Sequence, residues 1–200
     1  MDKSKITIML DNGHGKETYG KASPDKRLRE WKWAREMVAM INEALTKEGY
    51  QVIVVTPEDT DIKLAERCQR INAVCAKKGA KNVLSVSVHV NAAGDGKQWH
   101  DATGFLVFVY SNASQNARVL AKAISDEAYG MGLKGNRWVP AEGYMTKDLM
   151  MCRCTKCPAV LTENMFMDNE KDVEFLLSAE GMQKLCDVHV NGIIKYIAQL

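Results

Sequence analysis

The stretch Lys5-Ile6-Thr7-Ile8-Met9-Leu10-Asp11-Asn12-Gly13-His14-Gly15 decides the fold. Its apolar run has the length of a buried strand, and the run ends in an acid, an amide and a histidine between two glycines. Because glycine adopts backbone conformations that other residues avoid, we expect Gly13 and Gly15 to turn the chain sharply. The imidazole of His14 would then lie at the edge of a sheet, open to a metal or a substrate.

Two other strand-like runs end in a side chain that can do chemistry. Residues 82–88 lead directly into His89, and residues 158–162 lead into Glu163. A further residue of interest, Glu30, begins a predicted helix whose apolar positions recur every three or four residues. The chain therefore contains a histidine or a carboxylate at three strand ends and a carboxylate at one helix start.

The alternation of strands and helices predicts the fold class, an α/β three-layer sandwich with a mainly parallel, twisted sheet flanked by helices. Strands are predicted at 5–10, 51–55, 82–88, 103–110 and 158–162, and helices from 30, from a cap at Thr60 or Asp61, at 115–129 and from 170 with a break near Ser178. The segment 130–147 is predicted to be a loop. No repeat or linker divides the chain, so one domain is expected for its 200 residues.

Composition excludes several classes of protein. Hydrophobic residues make up 46% of the chain and charged residues 26%, with no apolar run long enough to cross a membrane. A net charge of +2 gives no strong attraction to nucleic acid. The N-terminus shows no secretory signal, so we expect synthesis in the cytoplasm. Reduced cysteines and a monomeric state are also expected.

The four candidate residues are predicted to meet. The carboxyl ends of parallel strands share one edge of the sheet, and a helix that follows the first crossover loop begins over the same edge. Two imidazoles and a carboxylate are a common ligand set for catalytic zinc, whose fourth position is left to water. A second carboxylate that does not bind the metal would take a proton from that water and deliver one to a leaving nitrogen. The set predicts hydrolysis of an amide.

Each residue alone has an ordinary structural explanation. A histidine after a strand is often hydrogen-bonded in place, and a glutamate in a first helical turn is favoured by the helix dipole. A carboxylate that closes a buried strand is less ordinary, because it needs a partner or a task. The other histidines, His100 and His189, are expected to be surface and core residues. Cys68 and Cys75 fall on a helical apolar stripe and are expected in the core.

Cys152-x-Cys154-x2-Cys157 is a competing signal for a metal site. Three thiols within six residues would suit zinc or an iron–sulfur cluster if Cys186 supplied a fourth ligand. The alternative explanation is a set of reduced, partly buried thiols. The loop aromatics Trp99, Trp138 and Tyr144 are candidates for stacking on sugar rings or for local packing.

Four motifs in order carry a resemblance to a known family. They are Asp11 to Gly15, Glu30, Ser87-Val88-His89-Val90-Asn91-Ala92, and Pro158 to Asn169. Together they resemble the zinc-dependent N-acetylmuramoyl-L-alanine amidases of the type-3 amidase family, along nearly the whole chain from Ile6 to the C-terminal helix. Two positions depart from the family pattern, which often has glycine where this chain has Lys16 and Met165.

The resemblance implies a function for each motif residue. His14, Glu30 and His89 would bind one Zn²⁺, and Glu163 would be the catalytic glutamate. Asp11 and Asn91 would orient the histidines or their loops. The implied substrate is the amide between the lactyl group of N-acetylmuramic acid and L-alanine in peptidoglycan, cleaved at the cell wall by a single catalytic domain spanning residues 1–200.

Two other functions stay open on the sequence. A zinc peptidase acting on another amide would use the same residues, and a peptidoglycan-binding module would keep the fold without catalysis. The resemblance is to phage lysins in particular, but a bacterial wall enzyme exported by another route is equally compatible with the motifs.

Overall fold

Six strands form one sheet in the computed structural model, which describes residues 5–200. In chain order they are β1 (Thr7–Asn12), β2 (Gln51–Val54), β3 (Val83–Asn91), β4 (Leu106–Val109), β5 (Met145–Thr146) and β6 (Ala159–Phe166). The spatial order is β2-β1-β3-β6-β4-β5, and every neighbouring pair is parallel except β6 and β4. The sheet is therefore mainly parallel, as predicted.

Helices cover both faces of this sheet. They are α1 (Glu30–Lys47), α2 (Leu64–Lys78), α3 (Gln115–Gly130), α4 (Met150–Arg153), α5 (Glu170–Leu177) and α6 (Ala179–Ala198), with a 3-10 turn at Ala80–Asn82. One face packs against α1, α3, α5 and α6, and the other against α2 and α4. The three-layer prediction is confirmed. None of the helices within residues 5–200 has the length and apolarity required to cross a bilayer.

Strand β1 shows why its sequence is continuously apolar. Ile8 and Leu10 belong to the larger core beneath α1 and α6, whereas Met9 belongs to the smaller core beneath α2. All three side chains are at most 1% exposed. A strand covered on both faces has no polar side, so β1 fits the centre of a parallel sheet.

Several boundaries differ from those predicted. The strand predicted at 103–110 begins at Leu106, and the loop predicted at 130–147 contains the two-residue strand β5. Helix α2 begins at Leu64 and has no side-chain cap. The carboxylate of Asp61 is bound instead to Arg67 and to the hydroxyl of Thr18, which leaves it unable to cap the helix. The break near Ser178 is confirmed, since its hydroxyl caps α6.

The two histidines set aside on sequence grounds lie as expected. His189 is fully buried on α6, between the hydroxyl of Thr162 and the carbonyl of Leu185. Burial lowers the pKa of its imidazole to about 4, so it is a neutral core residue. His100 is exposed, and Cys68 and Cys75 are buried in the smaller core. The N-terminal signal expectation concerns residues 1–4, which lie outside the described residues.

Candidate active site

The four candidate residues converge at the carboxyl edge of the sheet. His14 follows β1, His89 lies near the end of β3, and Glu163 lies in β6 directly opposite His89 in the strand register. Glu30 is the first residue of α1, and its backbone N–H donates to the carbonyl of Lys21 at 3.0 Å. Helix α1 therefore starts above the strand ends, and its first side chain points into the site.

Glu30 bridges the two histidines. Its Oε2 lies 3.3 Å from Nε2 of His14, and its Oε1 lies 3.1 Å from Nδ1 of His89. Oε1 also accepts the backbone N–H of Val90 at 3.0 Å. The imidazole rings meet edge to face with centroids 5.1 Å apart. One ligand atom from each of the three residues falls within 4.8 Å of the others, and they are the one such group found among residues 5–200.

Glu30 is ionised although it is only 1% exposed. Burial opposes ionisation, but the contacts with His14 and His89 outweigh it and hold the pKa of this carboxyl at about 2. The same balance acts on His89, where burial favours the neutral ring and Glu30 raises the pKa of the imidazole overall. The site therefore places a buried negative charge between two imidazole rings.

These residues fit a zinc ion. Oε2 of Glu30 lies 3.3 Å from Nε2 of His14 and has no hydrogen-bond partner. The same atom is inaccessible to solvent. A buried carboxylate oxygen without a partner is costly, and a cation at that position would satisfy it. Two imidazoles and one carboxylate are also a ligand set that catalytic zinc uses. The three side chains could hold a metal.

Glu163 has a different environment from Glu30. The residue is partly exposed, but its Oε2 is inaccessible to solvent and has no hydrogen-bond partner. Burial of this carboxyl raises its pKa to about 7, against the opposing effect of His89. One carboxylate of the site is thus held ionised and the other is balanced near neutrality, which is the division of roles that acid–base catalysis uses.

Comparison with known proteins identifies the family of the chain. A family model described as N-acetylmuramoyl-L-alanine amidase matches residues 8–195. The chain belongs to this amidase family. It is 30% identical over 192 residues to the endolysin of Bacillus phage SPP1, covering 95% of the chain and 65% of the endolysin. It is 28% identical over 190 residues to the N-acetylmuramoyl-L-alanine amidase CwlM of Bacillus licheniformis, covering 95% and 68%. The chain thus spans about two thirds of these relatives.

Solved amidase structures share the fold. The N-acetylmuramoyl-L-alanine amidase of Clostridium difficile 630 superposes with a TM-score of 0.83 at 22% identity, over 98% of both chains. Ami1 of Mycobacterium smegmatis superposes with a TM-score of 0.85 at 19% identity, over the full length of both. At such identities the superpositions establish the architecture of the amidase domain, and the site rests on its own geometry.

The loop that carries His14 turns in an unexpected way. His14 itself has the left-handed backbone conformation, with φ at 63°, whereas Gly13 and Gly15 do not. The two glycines allow neighbouring residues to approach the loop closely. A Cβ on Gly13 would lie 2.4 Å from the His89 ring, and one on Gly15 would lie 2.1 Å from the backbone of Asp61. The prediction that the glycines make the turn is therefore wrong.

Met165, the second departure from the family pattern, has a left-handed backbone, as His14 does. Met165 has φ at 59°, at a bulge where Asn164 and Met165 stand opposite the single residue Val90 of β3. The amide of Asn164 donates to the carbonyl of His89 at 2.8 Å, across the irregular register. Bulges often occur beside active sites because they redirect a side chain. Here the bulge follows Glu163 directly.

Asp11 and Asn91 lie near the site without contacting either imidazole by a hydrogen bond that the structure records. Asp11 is fully buried and accepts hydrogen bonds from Arg67 and from the hydroxyl of Ser87. Asn91 accepts the backbone N–H of the next residue, Ala92, at 2.9 Å. Asp11 is thus tied to α2 and β3, and Asn91 to the residue that follows β3, and their effect on the site remains a prediction.

Three residues that hold the site loops were missed from the sequence. Arg35 and Arg67 donate to the carbonyl of His14, and Asp168 accepts the backbone N–H groups of Ala93 and Gly94. Asp168 is fully buried, and it fastens the loop after β3 to the end of β6. The sequence did contain one signal for Arg67. It lies one residue before Cys68 and four before Ile71, so a charged residue stands within an otherwise apolar stripe.

The competing cysteine site is not supported by the structure. Cys157 lies in the smaller core, whereas Cys186 lies in the larger core on the opposite face of the sheet. Cys186 therefore cannot complete a four-ligand site with the Cys152, Cys154 and Cys157 segment. Burial raises the pKa values of Cys152 and Cys186 to about 12 and about 11, which favours protonated thiols.

The three loop aromatics have different positions. Trp99 lines a cavity of about 390 Å³ together with polar side chains that include Asp101 and Glu170. Trp138 is 76% exposed and Tyr144 packs against the larger core. Trp99 therefore combines a partly exposed ring with polar neighbours, as sugar-binding surfaces do.

Proposed function

We propose that this chain hydrolyses the amide between N-acetylmuramic acid and L-alanine in peptidoglycan, as a single catalytic domain that acts at the cell wall. The observation that carries the proposal is the position of Glu163 opposite His89, beside the cluster of His14 and Glu30, in a chain of the amidase family. Peptidoglycan is the expected partner, and a monomer remains the expected state.

His14, Glu30 and His89 are the residues that would hold one zinc ion. When bound, zinc supplies a Lewis acid that polarises the amide carbonyl and lowers the pKa of water to roughly 7. The protein contributes a negative charge on Glu30 that is already in place, and it fixes both rings around that charge. Little rearrangement of the ligands is then required when the metal enters.

Glu163 is the proposed proton carrier. Its Oε2 has a free lone pair because no protein donor contacts it, and its pKa of about 7 lets it both accept and release a proton near neutral pH. Glu163 would take a proton from the attacking water onto a carboxylate oxygen and return one to the amide nitrogen as L-alanine departs. This transfer turns the amine into a neutral leaving group.

The decisive experiment identifies the bond that is cut. Purified peptidoglycan is digested with the zinc-loaded protein and with Glu163→Gln, and the soluble products are analysed by mass spectrometry. We expect peptides that begin with L-alanine from the wild type, and at least a 100-fold lower yield from the variant. Glu43→Gln, a change at an exposed carboxylate near the C-terminal end of α1, is the matched control and is expected to release the same peptides.

Other outcomes favour the other functions. Cleavage within the peptide, leaving L-alanine attached to the sugar, would identify a zinc peptidase. Sedimentation with the wall, without release of any peptide from several wall types, would identify a binding module. Either result would refute the amidase proposal for this chain.

A further inference from the structure

Two arginines from different helices converge on one backbone carbonyl in the site. Arg35 of α1 approaches the carbonyl oxygen of His14 with both Nη atoms at 3.2 Å, and Arg67 of α2 approaches the same oxygen with Nη2 at 3.1 Å. A carbonyl oxygen has two lone pairs, and both guanidinium groups approach this one. The pair deserves an explanation because His14 is a proposed metal ligand.

Arg67 is built into the protein interior. It is 1% exposed, and its charge is balanced by Asp11, which is fully buried, at 3.0 Å. It also pairs with Asp61 at 3.1 Å and donates to the carbonyls of Asn12 at 2.6 Å and Ile62 at 2.7 Å. Arg67 therefore holds two carbonyls of the loop, at Asn12 and at His14, from a single rigid guanidinium plane.

Arg35 holds the same loop from the other side. Its side chain is 13% exposed, and its hydrogen bonds go to backbone carbonyls of His14, Glu58 and Trp31. Burial lowers the pKa of Arg35, and repulsion from the guanidinium group of Arg67 lowers it further. The carboxylates of Asp59, Asp11 and Asp61 oppose this repulsion, so both positive charges remain beside the His14 carbonyl.

The conformation of His14 explains the need for this anchoring. With φ at 63°, the residue has a left-handed backbone that side chains other than glycine rarely adopt. Rotation to an ordinary conformation would swing its imidazole away from Glu30. The carbonyl of His14 would move in the same rotation, so hydrogen bonds to that oxygen resist the change directly.

We propose that Arg35 and Arg67 are positioning residues that hold His14 in its left-handed conformation and so set the affinity of the site for zinc. They act through the His14 carbonyl and touch neither the metal nor the substrate. The inference rests on the proposed function to the extent that His14 is a zinc ligand. It adds that two residues outside the ligand set determine how well the metal is held.

Arg35 provides the test because it is the less buried of the two. In Arg35→Met the apolar stem is kept and the hydrogen bonds are lost. The zinc dissociation constant is measured by competition with a chromophoric chelator, and the melting temperature is measured on the zinc-free protein. The matched control is Arg118→Met, since Arg118 also donates to backbone carbonyls, those of Ala113 and Ser111, on a helix away from the site.

We expect a roughly 10- to 100-fold weaker zinc affinity in Arg35→Met, as for other residues that orient metal ligands. Its zinc-free melting temperature should fall no further than that of the control. Arg35→Lys should recover part of the affinity, because an ammonium group reaches the same carbonyl. In a His14→Ala background, Arg35→Met should weaken zinc binding less than twofold, since the ligand through which it acts is gone.

Other results overturn the inference. An affinity within twofold of the wild type would show that the arginine does not position the ligand, even if the wild type cleaves peptidoglycan. An equal loss of zinc affinity in both His14 backgrounds would show an effect that does not pass through His14. Absence of zinc binding by the wild type would refute both the metal site and this inference, whereas failure to cleave peptidoglycan with tight zinc binding would refute the proposed function alone.

Discussion

Replacement of Glu163 by glutamine should change how the stability of the zinc-free protein depends on pH. The carboxyl has a pKa of about 7 in the folded protein against an ordinary value of 4.5. Because the folded pKa is raised, the folded state binds the proton more tightly than the unfolded state does. The contribution of Glu163 to stability is therefore complete below pH 4.5 and is lost as the pH rises to 7.

The size of the effect follows from the difference between the two pKa values. At about 1.4 kcal/mol for each pH unit, the shift corresponds to roughly 3 kcal/mol as an upper limit. Partial exposure of the residue screens some of this, so about 2 kcal/mol is a reasonable expectation. In a protein of this length, that amounts to a change of about 4–8 °C in melting temperature.

Thermal unfolding at pH 5 and at pH 8.5 in the presence of a chelator measures this quantity. Wild-type protein should lose more stability than Glu163→Gln between the two conditions. The difference of the two differences measures the titration of Glu163 together with its electrostatic coupling to His89 and Glu30. The glutamine is neutral at both values, so any fixed cost of the substitution cancels. Equal pH dependence in the two proteins would refute the assignment of a near-neutral carboxyl to this position.

Four other predictions test the site and its surroundings. Arg67→Met should destabilise the protein by about 3–5 kcal/mol in urea unfolding, since it leaves Asp11 buried without its charge partner. Gly13→Ala should weaken zinc affinity at least 10-fold, because its Cβ would lie 2.4 Å from the His89 ring, whereas Gly130→Ala, with open space around the new Cβ, should not. Cys154→Ala purified without added zinc should keep one zinc per chain by elemental analysis, whereas His14→Ala purified in the same way should keep little, because its two remaining proposed ligands hold the ion weakly. Trp99→Ala should raise KM several-fold for glycan-containing substrate and leave unchanged the KM for a lactyl peptide without neighbouring sugars.

The sequence was sufficient for the parts of the fold that repeat a simple pattern. Continuous apolar runs identified the central strands, because β1 is covered on both faces, and the spacing of apolar residues identified α1. Strand β5 escaped prediction since two residues at a sheet edge carry no periodicity. The start of α2 was misplaced because Asp61 resembles a helix cap locally, while its carboxylate is engaged by Arg67.

The candidate site was also predicted in part. Topology alone brought His14, His89 and Glu163 to one edge, since parallel strands present their carboxyl ends together. The placement of Glu30 at the same edge followed from the crossover, because the helix after the first crossover loop begins over that edge. Arg35 and Asp168 could not be found this way, because they bind backbone groups of distant loops, and no local pattern records which carbonyl or N–H group a side chain will meet.

Backbone conformation at the site shows most clearly what a residue pattern leaves out. The glycines around His14 suggested that the loop needs their conformational freedom. The left-handed residue is instead the histidine, and the glycines make room for His89 and Asp61. Met165 repeats the situation after Glu163, with a left-handed backbone and a side chain that is 7% exposed. Each unfavourable conformation costs on the order of 1–2 kcal/mol, and each is held by neighbours: the two arginines at His14, and burial in the larger core at Met165. Of the three non-glycine residues with positive φ within residues 5–200, Lys26 lies in an exposed turn, and the other two are the proposed ligand and a residue two positions from the proposed base. At those two residues the surrounding packing stabilises the geometry that the chemistry requires.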